Sequence, residues 1–260
     1  MVLPGRIVDA ARDGDVAVVK AFLDAEPGLV NELGEDGMSI LLETTNSSIL
    51  ANHVQCARLI IARGGDANMG YSDDSGYCTS LPLHCASWPG GSASEMVSLL
   101  LQAGARVNAR TQGRDDQGMT PLGQLIVEFD YCVDYDDDGD VRRQVSRSGL
   151  EIMKLLLGAG ASIDRCQGWR SAEGLMQEFL SDRPHYANDE SFARCREIVA
   201  GVRAHGSYKA YVRDPHRQFL RLRSLLVRGR AKTDSRRLER LARLPNGACW
   251  HVLSFLWEAA

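Results

Sequence analysis

The chain has 260 residues, with 44% hydrophobic residues, 25% charged residues and a formal net charge of −4. These proportions suit one or two globular domains or one repeat array, and they exclude wholesale disorder. No apolar run is long enough to cross a bilayer, and the acidic start (Asp9, Asp13, Asp15) lacks a signal-peptide core. The seven scattered cysteines form no C-x-x-C, so reduced thiols in a cytoplasmic or nuclear protein are expected.

Apolar spacing predicts helices in pairs along the chain. The first pair is Ile7–Arg12 with Val16–Leu23, and the second is Ile40–Thr45 with Val54–Ala62. The third is Leu83–Ser87 with Glu95–Gln102, the fourth Leu122–Phe129 with Leu150–Leu157, and the fifth Ala172–Leu180 with Phe192–Ala204. After the second helix of three pairs come small residues and then Asn or Asp: Gly64 to Asn68, Gly104 to Asn108 and Gly160 to Asp164. The first pair has a looser version, Glu26 to Asn31. Glycine tolerates the left-handed turn that stops a helix, and Asn or Asp suits the start of the next turn. The following helix opens on Gly37-Met-Ser-Ile-Leu41, Leu81-Pro-Leu-His84, Gly118-Met-Thr-Pro-Leu122 or Gly168-Trp-Arg-Ser171, where hydroxyls can cap and proline fits the first turn.

Helix, glycine turn, G-A-x-V-N, hairpin tip and G-x-T-P-L-H-x-A together resemble the ankyrin repeat, over roughly Arg6 to Ser207. Gly118 to Leu122 matches that pattern except that Gly123 stands where histidine is usual, while Leu81 stands where threonine is usual. The repeat spacing, 37, 40 and 56 residues between Asn31, Asn68, Asn108 and Asp164, exceeds the family's ~33. The surplus is assigned to loops at Asn46–Asn52, Tyr71–Ser80, Trp88–Ala93 and Asp130–Ser148. The resemblance implies an all-α ankyrin-repeat solenoid of about five helix pairs over residues 1–207, with an additional helical segment over 208–260.

A solenoid offers an extended concave surface of hairpin tips and inner helices, which suits another protein better than a small substrate. The anchors expected there are Met38, Tyr71, Tyr77, Trp88, Met119 and Trp169, because aromatic and Met side chains bury much area at low entropic cost. The competing reading is that such residues fill gaps between repeats. No nucleophile elbow, P-loop, zinc-protease or dinucleotide motif is present, so neither enzymatic activity nor a cofactor is expected. His84 beside Cys85 is the one nucleophile–base pairing, and the family resemblance instead implies a local structural bond for this imidazole.

Within the acidic insertion, Asp134, Asp136, Asp138 and Asp140 with Gly139 follow the opening of an EF-hand loop, but position twelve is Val145 instead of glutamate. A solvated acidic loop is the alternative. From Arg203 to Arg243 there are 13 Lys and Arg against 3 Asp and Glu. Phe219–Val227 in that stretch reads as a basic amphipathic helix. Leu244-Pro245 with Leu253, Ser254 and Leu256 resembles the first helix of an F-box, and Leu220 and Ser224 resemble the start of a SOCS box. The first resemblance implies a Skp1-like adaptor, the second an elongin-like one, and either would make the chain a ubiquitin-ligase substrate receptor. The alternative is a pair of helices capping the array. No base-reading motif is present and nucleic acid is not expected as a partner. The leading expectation is an adaptor or scaffold that binds another protein.

Overall fold

The computed structural model describes residues 3–45, 50–72, 78–112, 118–130, 139–230, 235, 239–240 and 243–245. The chain divides into two compact units, Met1–Arg203 and Ala204–Ala260.

The first unit is a stack of helix pairs: α1 (Gly5–Asp13) with α2 (Val16–Ala25), α3 (Ile40–Glu43) with α4 (Ala51–Ala62), and α5 (Pro82–Ala86) with α6 (Ala93–Gln102). It continues with α7 (Pro121–Val127) and α8 (Gly139–Gly158), then α9 (Ala172–Asp182) and α10 (Glu190–His205), the last helix running two residues past the unit's boundary. One row of contacts runs α1–α3–α5–α7–α9 and a second runs α2–α4–α6–α8. Helices of four to seven residues such as α3 and α7 cannot stand alone in water, so stacking supplies their stability. Their buried faces join those of the second row through Ile7, Leu23, Ile40, Ile60, Met96, Leu100 and Leu122. Each such side chain contributes about 1.5–3 kcal/mol on burial. The array is all-α, as its sequence pattern implies; one short strand pair, β1 (Tyr71–Ser72) with β2 (Cys78–Ser80), forms a hairpin.

The same devices recur in phase. Ser39, Thr120 and Ser171 cap α3, α7 and α9, their side-chain oxygens accepting from the amide three residues on at 3.2, 3.2 and 3.3 Å. Helices α4, α6 and α8 all close on a left-handed glycine, at φ 90° for Gly64, 85° for Gly104 and 96° for Gly160. The next amide returns to the helix in each case: Gly65 to Ile60 O, Ala105 to Leu100 O and Ala161 to Leu156 O. This double closure satisfies carbonyls that the helix end would otherwise leave unpaired.

The asparagines do more than start turns. Asn31 donates to Gly64 O (2.9 Å) and accepts from Asp66 N (2.8 Å). Asn68 makes the same pair with Gly104 O (3.2 Å) and Arg106 N (2.8 Å). Asn108 makes it with Gly160 O (3.0 Å) and Ser162 N (2.8 Å). Each carboxamide therefore joins its own repeat to the turn of the next. At the fourth position Asp164 instead takes the Arg203 guanidinium at 2.6 Å, and Glu173 accepts from the same guanidinium at 2.9 and 3.0 Å.

The last pair is held differently. Phe129, Phe179, Tyr186 and Phe192 are buried with ring centroids 5.0–6.2 Å apart, mostly edge to face. Arg183 lies over Phe179 and pairs with the buried Asp130.

Several expected boundaries are corrected. The insertion does not run as a loop from Asp130 to Ser148, because α8 already begins at Gly139. Val145 is buried and continues the spacing of Gly149, Ile152 and Leu156, so the helix extends upstream to cover it. Helix α4 begins at Ala51, where His53 seals its start: His53 Nδ1 accepts from Leu50 N (3.1 Å) and Nε2–H faces Arg12 O (2.9 Å).

In the second unit α11 (Tyr208–Val227) is longer than the Phe219–Val227 expected. Ser207 caps it at Ala210 N (3.1 Å). Tyr208, Tyr211, Val212, Phe219, Leu222 and Leu226 are half-buried and lie along one face, while Arg213, Arg217, Arg221 and Arg228 are exposed. Arg223 donates to Leu244 O.

Gly123 accounts for one departure from the family pattern. A Cβ there would run into the Cys166 carbonyl oxygen, which also accepts from Thr120 N (2.9 Å) and Thr120 Oγ1 (3.3 Å). Restoring the usual residue with Gly123→His is expected to destabilise the fold, by about 1–3 kcal/mol or more for overpacking, read as a lowered urea midpoint. Asn108→Ala is expected to cost about 1–2 kcal/mol through two lost hydrogen bonds, with Asn68→Ala giving a similar loss in the same titration.

Candidate functional site

Hairpin tips lie between successive inner helices, and backbone bonds fix each one. Gly34 N donates to Met38 O (2.8 Å), and Asp36 Oδ1 accepts from Met38 N (3.1 Å). Tyr71 pairs with Ser80. Met119 O accepts from Thr111 N (3.0 Å), and Met119 N donates to Thr111 Oγ1 (2.9 Å). Cys166 N donates to Arg170 O (2.7 Å) and Arg170 N to Gln167 O (2.8 Å).

The last two tips are tied together. Met119 and Gln167 form a β-bridge, and Gly168 N donates to Gly118 O at 3.3 Å. Arg110 spans them, donating to Gly118 O (2.8 Å), Gly168 O (3.2 Å) and Arg165 O (3.3 Å). His84 reaches the same ribbon, with Nε2 2.8 Å from Met119 O. A carbonyl oxygen only accepts, so Nε2 carries the proton. The contact lies 35 residues away, so this imidazole joins one repeat to the next instead of bonding locally.

Met38, Tyr71, Met119 and Trp169 all sit at tips, and the first three are half-buried. Trp169 is 80% exposed, and the Arg165 guanidinium lies 4.2 Å from its ring centroid. Trp88 sits between α5 and α6, half-buried with its indole nitrogen inside. Tyr77 lies outside the described residues. Sequence reasoning did not single out Arg110 or Arg165. Nothing in their local pattern marks them, since Arg110 is defined by three carbonyls and Arg165 by a ring across a tight turn.

Of the cation candidates, Asp134, Asp136 and Asp138 lie outside the described residues, and Asp140 belongs to the first turn of α8. The helical backbone from Gly139 onward corrects the EF-hand comparison, because positions six to twelve cannot wrap an ion while coiled in a helix. Among the described residues no three His, Cys, Asp or Glu side chains converge as a metal site. Leu220 and Ser224 lie half-exposed on α11; Leu244 is half-buried and Pro245 exposed, while Leu253 and Leu256 lie outside the described residues. Among the described residues no helix is long and apolar enough to cross a membrane.

The electrostatics of the array are those of packing. Glu43 is fully buried beneath the Arg12 fork, at 3.0 and 3.1 Å. Burial still holds its carboxyl above the usual range. Burial also pushes the Cys85 thiol up to about 11 and the Cys166 thiol to about 12, which keeps both protonated and poor nucleophiles. The same effect lowers His84 to about 4.

Residues 7–111 match the family model of ankyrin repeats in 3 copies. Over those residues the helix pairs, turns and hairpins are those of ankyrin repeats. No curated protein matches it. Among solved structures it is similar to a chain in the complex of a predatory endopeptidase from Bdellovibrio bacteriovorus with an immunity protein. That similarity has 15% identity and a TM-score of 0.40, over 72% of this chain and 96% of that one. It is also similar to an ankyrin repeat domain from Acinetobacter baumannii, with 19% identity and a TM-score of 0.33, over 73% of this chain and 97% of that one.

The lowered His84 value gives a signed expectation. Below the ordinary histidine range the unfolded chain takes a proton that the folded chain refuses, so stability falls as pH drops from about 6.5 to about 4. At about 1.4 kcal/mol per tenfold change in proton affinity, the loss is of order 3 kcal/mol. Urea midpoints at pH 7, 5.5 and 4.5 should show this slope for the wild type, and His84→Gln should flatten it.

Proposed function

We propose that the chain is a non-enzymatic adaptor or scaffold that holds a partner protein along its row of hairpin tips. One observation carries this reading: the last two tips are bonded to each other and end on Trp169, exposed at 80% while the other large rings of the last pair are buried. A large aromatic kept in water on a fixed turn suits an interface anchor. Ankyrin arrays present such tips and inner helices as an extended binding surface. The buried, protonated thiols and the bonded His84 fit framework roles better than catalysis.

The test compares two triple variants of the intact chain as pull-down baits. Met38→Ala, Tyr71→Ala and Met119→Ala together should reduce partner recovery about tenfold or more. Lys20→Ala, Arg58→Ala and Lys154→Ala, on the outer helices, should leave recovery unchanged. The opposite ranking, with both variants melting cooperatively by circular dichroism, would transfer the binding surface to the outer row.

A further inference from the structure

The fourth hairpin holds an arrangement that packing alone does not require. Arg165 has φ 54°, and no other non-glycine residue among the described ones has positive φ. A side chain disfavours that region, and glycine would adopt it freely. Arg110 donates to the carbonyl oxygen of this residue at 3.3 Å. The Arg165 guanidinium lies over the indole of Trp169 at 4.2 Å. Both side chains face solvent. Strained backbone at an exposed recognition group is a pattern of functional sites.

The charges around the pair are unevenly used. Asp164 and Glu173 are both taken by Arg203, and Glu178 is taken by Arg170 at 3.0 Å. Arg165 has no acidic partner among the described residues. A guanidinium held over a ring makes no hydrogen bond to it, so its N–H groups can still present the planar fork that matches a carboxylate. Arg110 adds a second positive charge behind the turn.

We infer that Trp169 and Arg165 form a docking point for a partner segment carrying an Asp or Glu side chain next to a bulky apolar one, the carboxylate meeting the Arg165 edge and the apolar group covering the indole. This rests on the hairpin-tip reading above and narrows it to a chemistry. A polyphosphate chain fits less well, since it has no apolar group to cover the exposed indole of Trp169.

The experiment uses the intact chain as bait for a phage-displayed random dodecapeptide library. The best binder is then synthesised acetylated and amidated, so that only side-chain carboxylates remain, and is titrated by fluorescence anisotropy. Enriched peptides should share an Asp or Glu adjacent to Leu, Ile, Phe or Trp. Replacing that acid by its amide should weaken binding about tenfold, as should Trp169→Ala. Arg165→Gly is the informative variant: it relieves the backbone, so stability should hold or rise while affinity falls about tenfold. Raising salt from 50 to 300 mM should weaken binding several-fold. Equal affinity for the amide peptide, undiminished binding by Arg165→Gly, failure to enrich any acidic peptide, or displacement by oligouridylate at lower concentration would each overturn the inference. Peptides that survive Arg165→Gly but are lost with Met38, Tyr71 and Met119 replaced would leave the broader adaptor reading standing. Peptides indifferent to both sets would remove the two together.

Discussion

Each asparagine carboxamide at the end of a repeat has one donor and one acceptor side, and the backbone of the next repeat's turn has the complementary pair two residues apart. Asn31, Asn68 and Asn108 all use both. The glycine carbonyl they meet belongs to the left-handed turn that stops a helix, so the bond ties that stop to the preceding repeat. Registry therefore depends on three side chains and not on the length of chain between them. Intervals of 37, 40 and 56 residues leave the rungs alike, because the additional residues leave the stack before the next rung forms.

The tips inherit their rigidity from this frame. The hydroxyl caps at Ser39, Thr120 and Ser171 fix where each of these inner helices leaves its hairpin. Where an imidazole is present, His84 bridges to the Met119 carbonyl; where it is absent, at Gly123, the Cys166 carbonyl closes directly on the helix. One position thus has two solutions to the same need, a long polar side chain across a wide gap or no side chain across a narrow one. The narrow solution brings the third and fourth hairpins within bridging distance and gives Arg110 three carbonyls to hold.

The repeat frame was legible because it rests on local signals: apolar spacing, glycine stops, hydroxyl or proline starts. All five expected helix pairs are found, although α8 starts eleven residues and α4 three residues before the expected positions. What local pattern could not supply was the reach of side chains between repeats. The recurring asparagines were visible but read as turn formers, since their partners lie 33 to 54 residues away. The upstream half of α8 was hidden by its charge, and Val145 tied it to the core only once Ile152 and Leu156 were seen on the same face. At the candidate site, large side chains at tips could be listed from sequence, but their exposure could not: Trp88 and Trp169 look alike in the sequence and differ in burial.

Asp164 changes what the array can become. A carboxylate cannot donate to a carbonyl, so the helix pair that follows it, α9 with α10, joins the stack without the asparagine rung of the three joins before it. Its charge is instead neutralised by Arg203, from within the last helix pair. Tandem duplication could lengthen the stack anywhere between Asn31 and Asn108, each new copy bringing its own rung. Beyond Asp164 the join to the last pair passes instead to an exposed ion pair, which dissolved salt screens, whereas the neutral rungs upstream are indifferent to it.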